Sequence, residues 1–258
     1  NNMTLGMMMS LTYIIGQVSA PIGDFIGFAH ALQDARISME RLNDIHAQED
    51  EEYDICNKLS LLPENGTITV RDLTYSYSGA ERDYAIKNLS LDIPEGKVTA
   101  IVGESGSGKT TLIKLLQGFY KPNSGTIKVG GISLDCINPH LWRKSTGSVM
   151  QESYIFSDTI AKNIALSTDE VDVKRLYDSA LLANADEFIS ALPRGYNTRI
   201  GMEGSGVSQG QRQRLLIARA IYKNPKYLFF DEATNSLDAT NERIIMENLQ
   251  KIDRKSVV

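Results

Sequence analysis

The chain has 258 residues, 27 Lys and Arg against 32 Asp and Glu, and a formal net charge of −5. At 42% hydrophobic and 23% charged it is composed like a folded globular protein, not a disordered, collagen-like or coiled-coil chain. The mild acidity leaves no basic footprint for nucleic acid, and two cysteines, Cys56 and Cys136, form no disulfide framework and fit a reducing compartment.

The average hides an asymmetry at the start. No Asp, Glu, Lys or Arg precedes Asp24, and Leu5, Met7, Met8, Met9, Leu11, Tyr13, Ile14, Ile15, Val18 and Ile22 fill the stretch. An apolar helix of about 20 residues spans a bilayer core. Gly6, Ser10, Thr12, Gly16, Gln17 and Ser19 dilute the apolarity, so a buried core helix fits the pattern equally. A signal peptide would need a basic leader and an initiating Met. After Pro21 the pattern changes. Ile22, Phe25, Ile26, Ala29 and Leu32 share one helical face, with Asp24, Gln33, Asp34 and Arg36 between them. This predicts an amphipathic helix to about Ile45. The acidic run Glu49 to Glu52 with Asp54 reads as a solvated linker, closed by the turn residues Pro63-Glu64-Asn65-Gly66.

Lys97 to Val102 is a β-branched apolar run and predicts a strand. It enters Gly103-Glu104-Ser105-Gly106-Ser107-Gly108-Lys109-Thr110, a full match to G-x-x-x-x-G-K-[ST], followed by a helical stretch from Thr111 to Leu116. Glycines let backbone amides approach phosphate oxygens, and the helix N-terminus adds partial positive charge. Lys109 is placed to reach the terminal phosphates and the Thr110 hydroxyl to ligate Mg²⁺. Residues 169–183 and 185–192 read as helices. His140 precedes Trp142 on an expected surface turn. Tyr227 to Phe230 predicts a buried strand tipped by Asp231 and Glu232. A carboxylate there needs a cation or a task. Asp231 suits the Mg²⁺ shell and Glu232 a general base for water. Ser256-Val257-Val258 reads as the start of another strand, so both chain ends are expected to be cuts in a longer protein.

Between the phosphate loop and that acidic tip lies Val207-Ser208-Gln209-Gly210-Gln211-Arg212-Gln213-Arg214. With the loop, it resembles the ATP-binding cassette (ABC) superfamily, whose signature is usually L-S-G-G-Q. Gln209 replaces the first glycine, and a left-handed backbone there would strain it. The resemblance covers nearly the whole chain. It implies an α/β P-loop NTPase fold: a RecA-like core of parallel strands, a β subdomain and a helical subdomain at about 152–206. The implied cassette occupies 67–258 after a linker at 47–66. Residues 1–46 are similar to the last transmembrane helix of exporters and its cytoplasmic extension.

The resemblance also implies site residues. ATP phosphates would lie on Gly103, Ser105, Gly106, Ser107, Gly108, Lys109, Thr110 and Thr111. Thr110, Gln151 and Asp231 would surround Mg²⁺, with Glu232 and Gln151 catalytic. Tyr77 is placed like the aromatic that stacks on adenine; Tyr75 and Tyr84 compete, and all three are also read as strand residues that could be plain packing. Ser208, Gln209, Gly210, Gln211 and Asp238 would meet ATP held by a second cassette, most simply in a homodimer. Asn235 to Asp238 resembles the D-loop and Thr198 to Gly204 the X-loop. The family's H-loop His would fall past Val258; His30, His46 and His140 do not match it. The implied whole is a plasma- or inner-membrane exporter with its cassette on the cytoplasmic side and a fused transmembrane domain. Glu203 to Gly206 resembles peptide and bacteriocin exporters. An importer cassette and a soluble ABC ATPase are the alternatives.

Overall fold

The structure is a computed structural model and describes residues 4–47, 58–79, 83–151, 153–166, 170–201, 206–233, 237–251 and 256–257. The acidic run 49–54, Glu152, Asn235, Ser236, Val258, the 202–204 part of the X-loop match and Ser205 lie outside them. The chain forms two compact units, Asn1–Asp54 and Ile55–Val258.

The first unit is one helix, α1 (Leu5–His46, 42 residues). At 1.5 Å per residue it is about 63 Å long. An 18-residue window reaches mean hydropathy 1.3, long and apolar enough to cross a membrane. The change of pattern at Pro21 does not break it: Pro21 lies inside the helix. Two of the hydroxyls that dilute its apolarity are satisfied within it. Thr12 donates to the Met8 carbonyl at 2.9 Å and Ser19 to the Ile15 carbonyl at 2.8 Å, the back-bonding that lets hydroxyls sit in a helix without an outside partner.

The second unit starts with an antiparallel sheet in the order β2-β1-β3-β4, made of β1 (Ile68–Tyr75), β2 (Ile86–Ile93), β3 (Ser124–Val129) and β4 (Ile132–Ser133). In the chain, helix α2 (Lys109–Leu116) lies between β2 and β3, and α3 (Pro139–Ser145) follows β4. His140 therefore sits on a helix, not a surface turn, because Asn138 caps that helix by accepting from the His140 amide at 2.8 Å. A second, parallel sheet has the order β5-β6-β7: β5 (Thr146–Val149), β6 (Tyr227–Phe230) and β7 (Ser256–Val257). Helices α4 (Ile160–Ile164), α5 (Val173–Leu182), α6 (Asp186–Ser190), α7 (Gln209–Tyr222) and α8 (Ala239–Lys251) complete the unit. Helix α5 begins four residues later than the periodicity predicts, because Asp172 caps it by accepting from the Arg175 amide at 3.1 Å.

Strand β6 joins two cores. Tyr227 and Phe229 pack with β1, β2, β3, α2 and Trp142. Leu228, one position out of phase, packs with α5, α7 and α8 residues. A strand buried on both faces reads as an unbroken apolar run, and this one does. The other predicted strand, Lys97 to Val102, is a correction. It carries a single bridge residue, Val98, and Val102 is 92% exposed. A β-branched run becomes a strand only where neighbours offer it a ladder, and among the described residues β6 has its two sides taken by β5 and β7.

Candidate nucleotide site

The loop 103–108 turns tightly into α2. Gly106 and Gly108 have φ of +81° and +89°. A Cβ on Gly108 would lie 2.5 Å from the Ala85 carbonyl oxygen, so glycine is required both by conformation and by space. Gly108 is the N-cap of α2 and no side chain caps that end. The orphan amides of the first turn are thus left for an anion, where the helix dipole also favours one. Lys109 folds over the loop, its Nζ donating to the carbonyls of Gly103 and Glu104, both at 2.8 Å. Ser105 and Ser107 are exposed on the same loop.

The tip of β6 meets this loop. Thr110 Oγ1 donates to Asp231 Oδ1 at 3.1 Å across 121 residues of sequence. Asp231 is 3% exposed, and its Oδ2 finds no hydrogen-bond partner among the described residues. A buried carboxylate oxygen without a partner is costly. A hydroxyl and a lone carboxylate are the donors by which Mg²⁺ is held beside substrate phosphates rather than in an all-protein cage, so the residues fit that ion. Among the described residues no cluster of three or more His, Cys, Asp or Glu forms a metal cage. Glu232 follows at φ +52°, in the left-handed region that is uncommon outside glycine. With Lys109 and Asp231 it lines a cavity of about 310 Å³. Strand β5 runs parallel beside β6 with Val149 opposite Phe230, and the Asp231 amide donates to the Val149 carbonyl at 2.9 Å. Gln151, two residues past β5, is exposed at that same sheet edge.

The three candidate base-binding tyrosines separate by position. Tyr75 is a buried β1 residue. Tyr77 and Tyr84 are loop residues, not strand residues as expected, because β1 ends at Tyr75 and β2 starts at Ile86. Tyr77 is 57% exposed and shares a 3.1 Å hydrogen bond with Thr111 Oγ1, so Thr111 faces the tyrosine as well as the loop. Tyr84 stands apart from that group, with Lys87 Nζ over its ring at 5.9 Å.

Helix α7 opens differently. Ser208 is its N-cap: the Ser208 hydroxyl accepts from the Gln211 amide at 3.2 Å, and Gln211 Oε1 accepts from the Ser208 amide at 2.9 Å. This is a capping box. Gln209 is the first helical residue and is absent from the positive-φ residues, so the expected left-handed strain does not arise. Three arginines along α7 hold its surroundings. Arg212 donates to the Ser153 carbonyl at 2.9 Å. Arg219 donates to the carbonyls of Asn163 and Tyr154, each at 2.7 Å, and to Asn163 Oδ1 at 3.1 Å. Burial pushes the Arg219 guanidinium down to about 10. Arg214 donates to the Asn184 carbonyl at 2.8 Å and to Asn241 Oδ1 at 3.3 Å, and Asn241 donates to Asp238. That bond from Asn241 holds the exposed Asp238 carboxyl below the usual range.

Residues 86–235 match a family model described as ABC transporter, which is more than half of the chain. The chain belongs to the ABC transporter family. It carries the family's ATP-binding, ATP-hydrolysing domain on a P-loop α/β fold. It is 41% identical over 251 residues to the leukotoxin translocation ATP-binding protein LktB of Mannheimia haemolytica, and equally to that of Bibersteinia trehalosi. Those alignments take in 97% of this chain and 35% of each relative, so the chain spans about a third of their length. A bacterial Atm1-family ABC exporter solved with ATP bound superimposes with a TM-score of 0.79 at 31% identity, over 98% of this chain and 44% of that one.

Among ABC transporter motif residues in this chain, the structure brings Lys109, Thr110, Asp231 and Glu232 to one cavity or contact. It sets Ser208 and Gln211 at a separate helix end. The contacts of Arg212, Arg214 and Arg219 are invisible to motif reading. One signal was available: Ser208-x-x-Gln211 is itself a capping-box spacing.

Proposed function

We propose that this chain is the ATP-driven part of a membrane exporter, with the cassette at 67–258, its helical part at about 152–206, a linker at 47–66 and a membrane-crossing helix within 1–46. The observation that carries the reading is the Thr110–Asp231 hydrogen bond below an uncapped helix end, with one buried Asp231 oxygen left over. ATP phosphates bind on residues 103–111, where Lys109 exchanges loop carbonyls for phosphate oxygens. Thr110, Asp231 and Gln151 hold Mg²⁺, which screens the charge of the terminal phosphates when bound. Glu232 takes the proton of the attacking water. Tyr77 stacks on adenine. Ser208, Gln209, Gly210, Gln211 and Asp238 contact ATP held by a second, identical cassette, so ATP joins the pair and its hydrolysis parts it.

The length and apolarity of α1 support the membrane reading, with the cassette on the cytoplasmic side. The likeness to leukotoxin translocation proteins supports a peptide or protein cargo. The test is nucleotide binding and turnover by the detergent-solubilised protein. Glu232→Gln is expected to bind ATP like wild type and to lose hydrolysis by about 10²- to 10⁴-fold, the usual contribution of a general base. Wild-type turnover in that variant would remove Glu232 as the base. A protein that stays monodisperse without detergent would remove the exporter reading.

A further inference from the structure

We propose that Tyr120 is a positioning residue for nucleotide binding: it holds the Tyr77 ring at a fixed place relative to the phosphate loop. The proposal rests on the reading of Tyr77 as the adenine platform and adds what sets that platform in position.

Tyr77 is an exposed loop residue, yet three contacts constrain it. Its hydroxyl bonds Thr111 on α2 at 3.1 Å. Its ring stands at 80° to that of Tyr75, with centroids 5.1 Å apart, and at 85° to that of Tyr120, at 5.5 Å. Tyr120 in turn stacks on Tyr75 at 5.5 Å and 28°. Offset stacks and perpendicular pairs are the arrangements the aromatic quadrupole favours. Tyr75 is 8% exposed and Tyr120 37%, so Tyr120 links a core ring to the exposed one.

One of the three anchors lies on α2 and a second just beyond its end. Helix α2 starts at Lys109, immediately after the loop; Thr111 is its third residue, and Tyr120 follows its end at Leu116 by four residues. That far end is fixed as well, because Trp142 Nε1 donates to the Leu116 carbonyl at 3.0 Å. Base platform and phosphate loop are therefore referenced to the same short helix. A ring already held in position loses little freedom when a base stacks on it, which favours affinity.

The experiment is displacement of a ribose-labelled fluorescent ATP by ATP and by inorganic tripolyphosphate, both with Mg²⁺, from the full chain. Wild type is compared with Tyr77→Ala, Tyr120→Ala, Tyr120→Phe and the double alanine variant. Emission of Trp142, the one tryptophan in the chain and buried, reports that each variant is folded. Tyr77→Ala is expected to weaken ATP about fivefold to hundredfold, as loss of a stacking ring does. Tyr120→Ala is expected to weaken it about two- to tenfold, the range of one aromatic pair. Tyr120→Phe should bind like wild type, the double variant no worse than Tyr77→Ala, and tripolyphosphate affinity should not change in any of them. Wild-type ATP affinity in Tyr120→Ala, beside a weakened Tyr77→Ala, overturns the proposal and spares the adenine reading. Equal weakening of tripolyphosphate by Tyr120→Ala also overturns it, since the ring would then act on the phosphate loop. Wild-type affinity in Tyr77→Ala overturns the adenine reading, and the proposal with it.

Discussion

Two polar, glycine-containing turns open helices in this molecule, and they treat their backbone donors in opposite ways. At α2 no side chain caps the helix, so its first amides stay open, and among the described residues Asp231 keeps one oxygen without a partner beside them. At α7 the Ser208–Gln211 box closes the helix end on itself, and arginines farther along the helix grip the neighbouring segments. The first end is prepared for a ligand in the isolated chain. The second is closed by its own side chains. Ser208 uses its oxygen as an acceptor within the box.

The contrast breaks hardest at Arg219. Its guanidinium is half-buried, depressed by that burial, and bound to three oxygens of the 154–163 segment. Arg219→Met takes the guanidinium donor from two carbonyls, while Asn163 Oδ1 keeps the Phe156 amide at 2.9 Å, and is expected to cost about 2–4 kcal/mol in urea unfolding. The ATP affinity of the phosphate loop should change little, because the loop belongs to the other half of the contrast. A loss below about 0.5 kcal/mol, the size of a neutral surface change, would show that α7 is not held this way. Asp231→Asn probes the ligand-ready end. It removes a buried charge, so stability without nucleotide should not fall by more than about 1 kcal/mol. Saturating ATP at about 100 times its Kd should stabilise wild type by about 2.7 kcal/mol. In the variant, the melting temperature with ATP should no longer respond to Mg²⁺. A Mg²⁺ response equal to wild type would place the ion elsewhere.

How far the fold could be read in advance depended on where each segment's partners lie. The Tyr227 to Phe230 and Lys97 to Val102 runs have the same strand-like chemistry. The first is a strand because β5 and β7 flank it and two cores cover its faces; the second holds one bridge residue. Composition reports the wish of a segment to be a strand, whereas the sheet decides. The tight glycine turn into α2 was legible, since its positive-φ positions Gly106 and Gly108 lie in one short run of sequence. The Thr110–Asp231 contact was legible because each end sits in its own motif. The Tyr75–Tyr77–Tyr120 group was not, because no spacing rule brings residues of β1, its following loop and the turn after α2 to 5 Å of each other.

The finest difference between the two helix ends is carried by Ser208 and Gln209. Ser208→Ala removes the acceptor of the capping box and is expected to cost about 1 kcal/mol. Gln209→Gly restores the usual signature glycine, and if Gln209 were strained it would stabilise the chain. Gln209 instead begins α7 with helical backbone and lies outside the positive-φ residues. Glycine there relieves nothing and adds freedom to the unfolded chain, so Gln209→Gly is expected to destabilise by a few tenths of a kcal/mol, up to about 1. Both changes are read from the midpoint of urea unfolding at constant slope. A gain in stability on Gln209→Gly would mean that the turn before α7 is strained after all. Its capped end would then resemble the phosphate loop, a backbone held in a costly shape for a ligand, and the contrast between the two ends would narrow to the presence of Asp231.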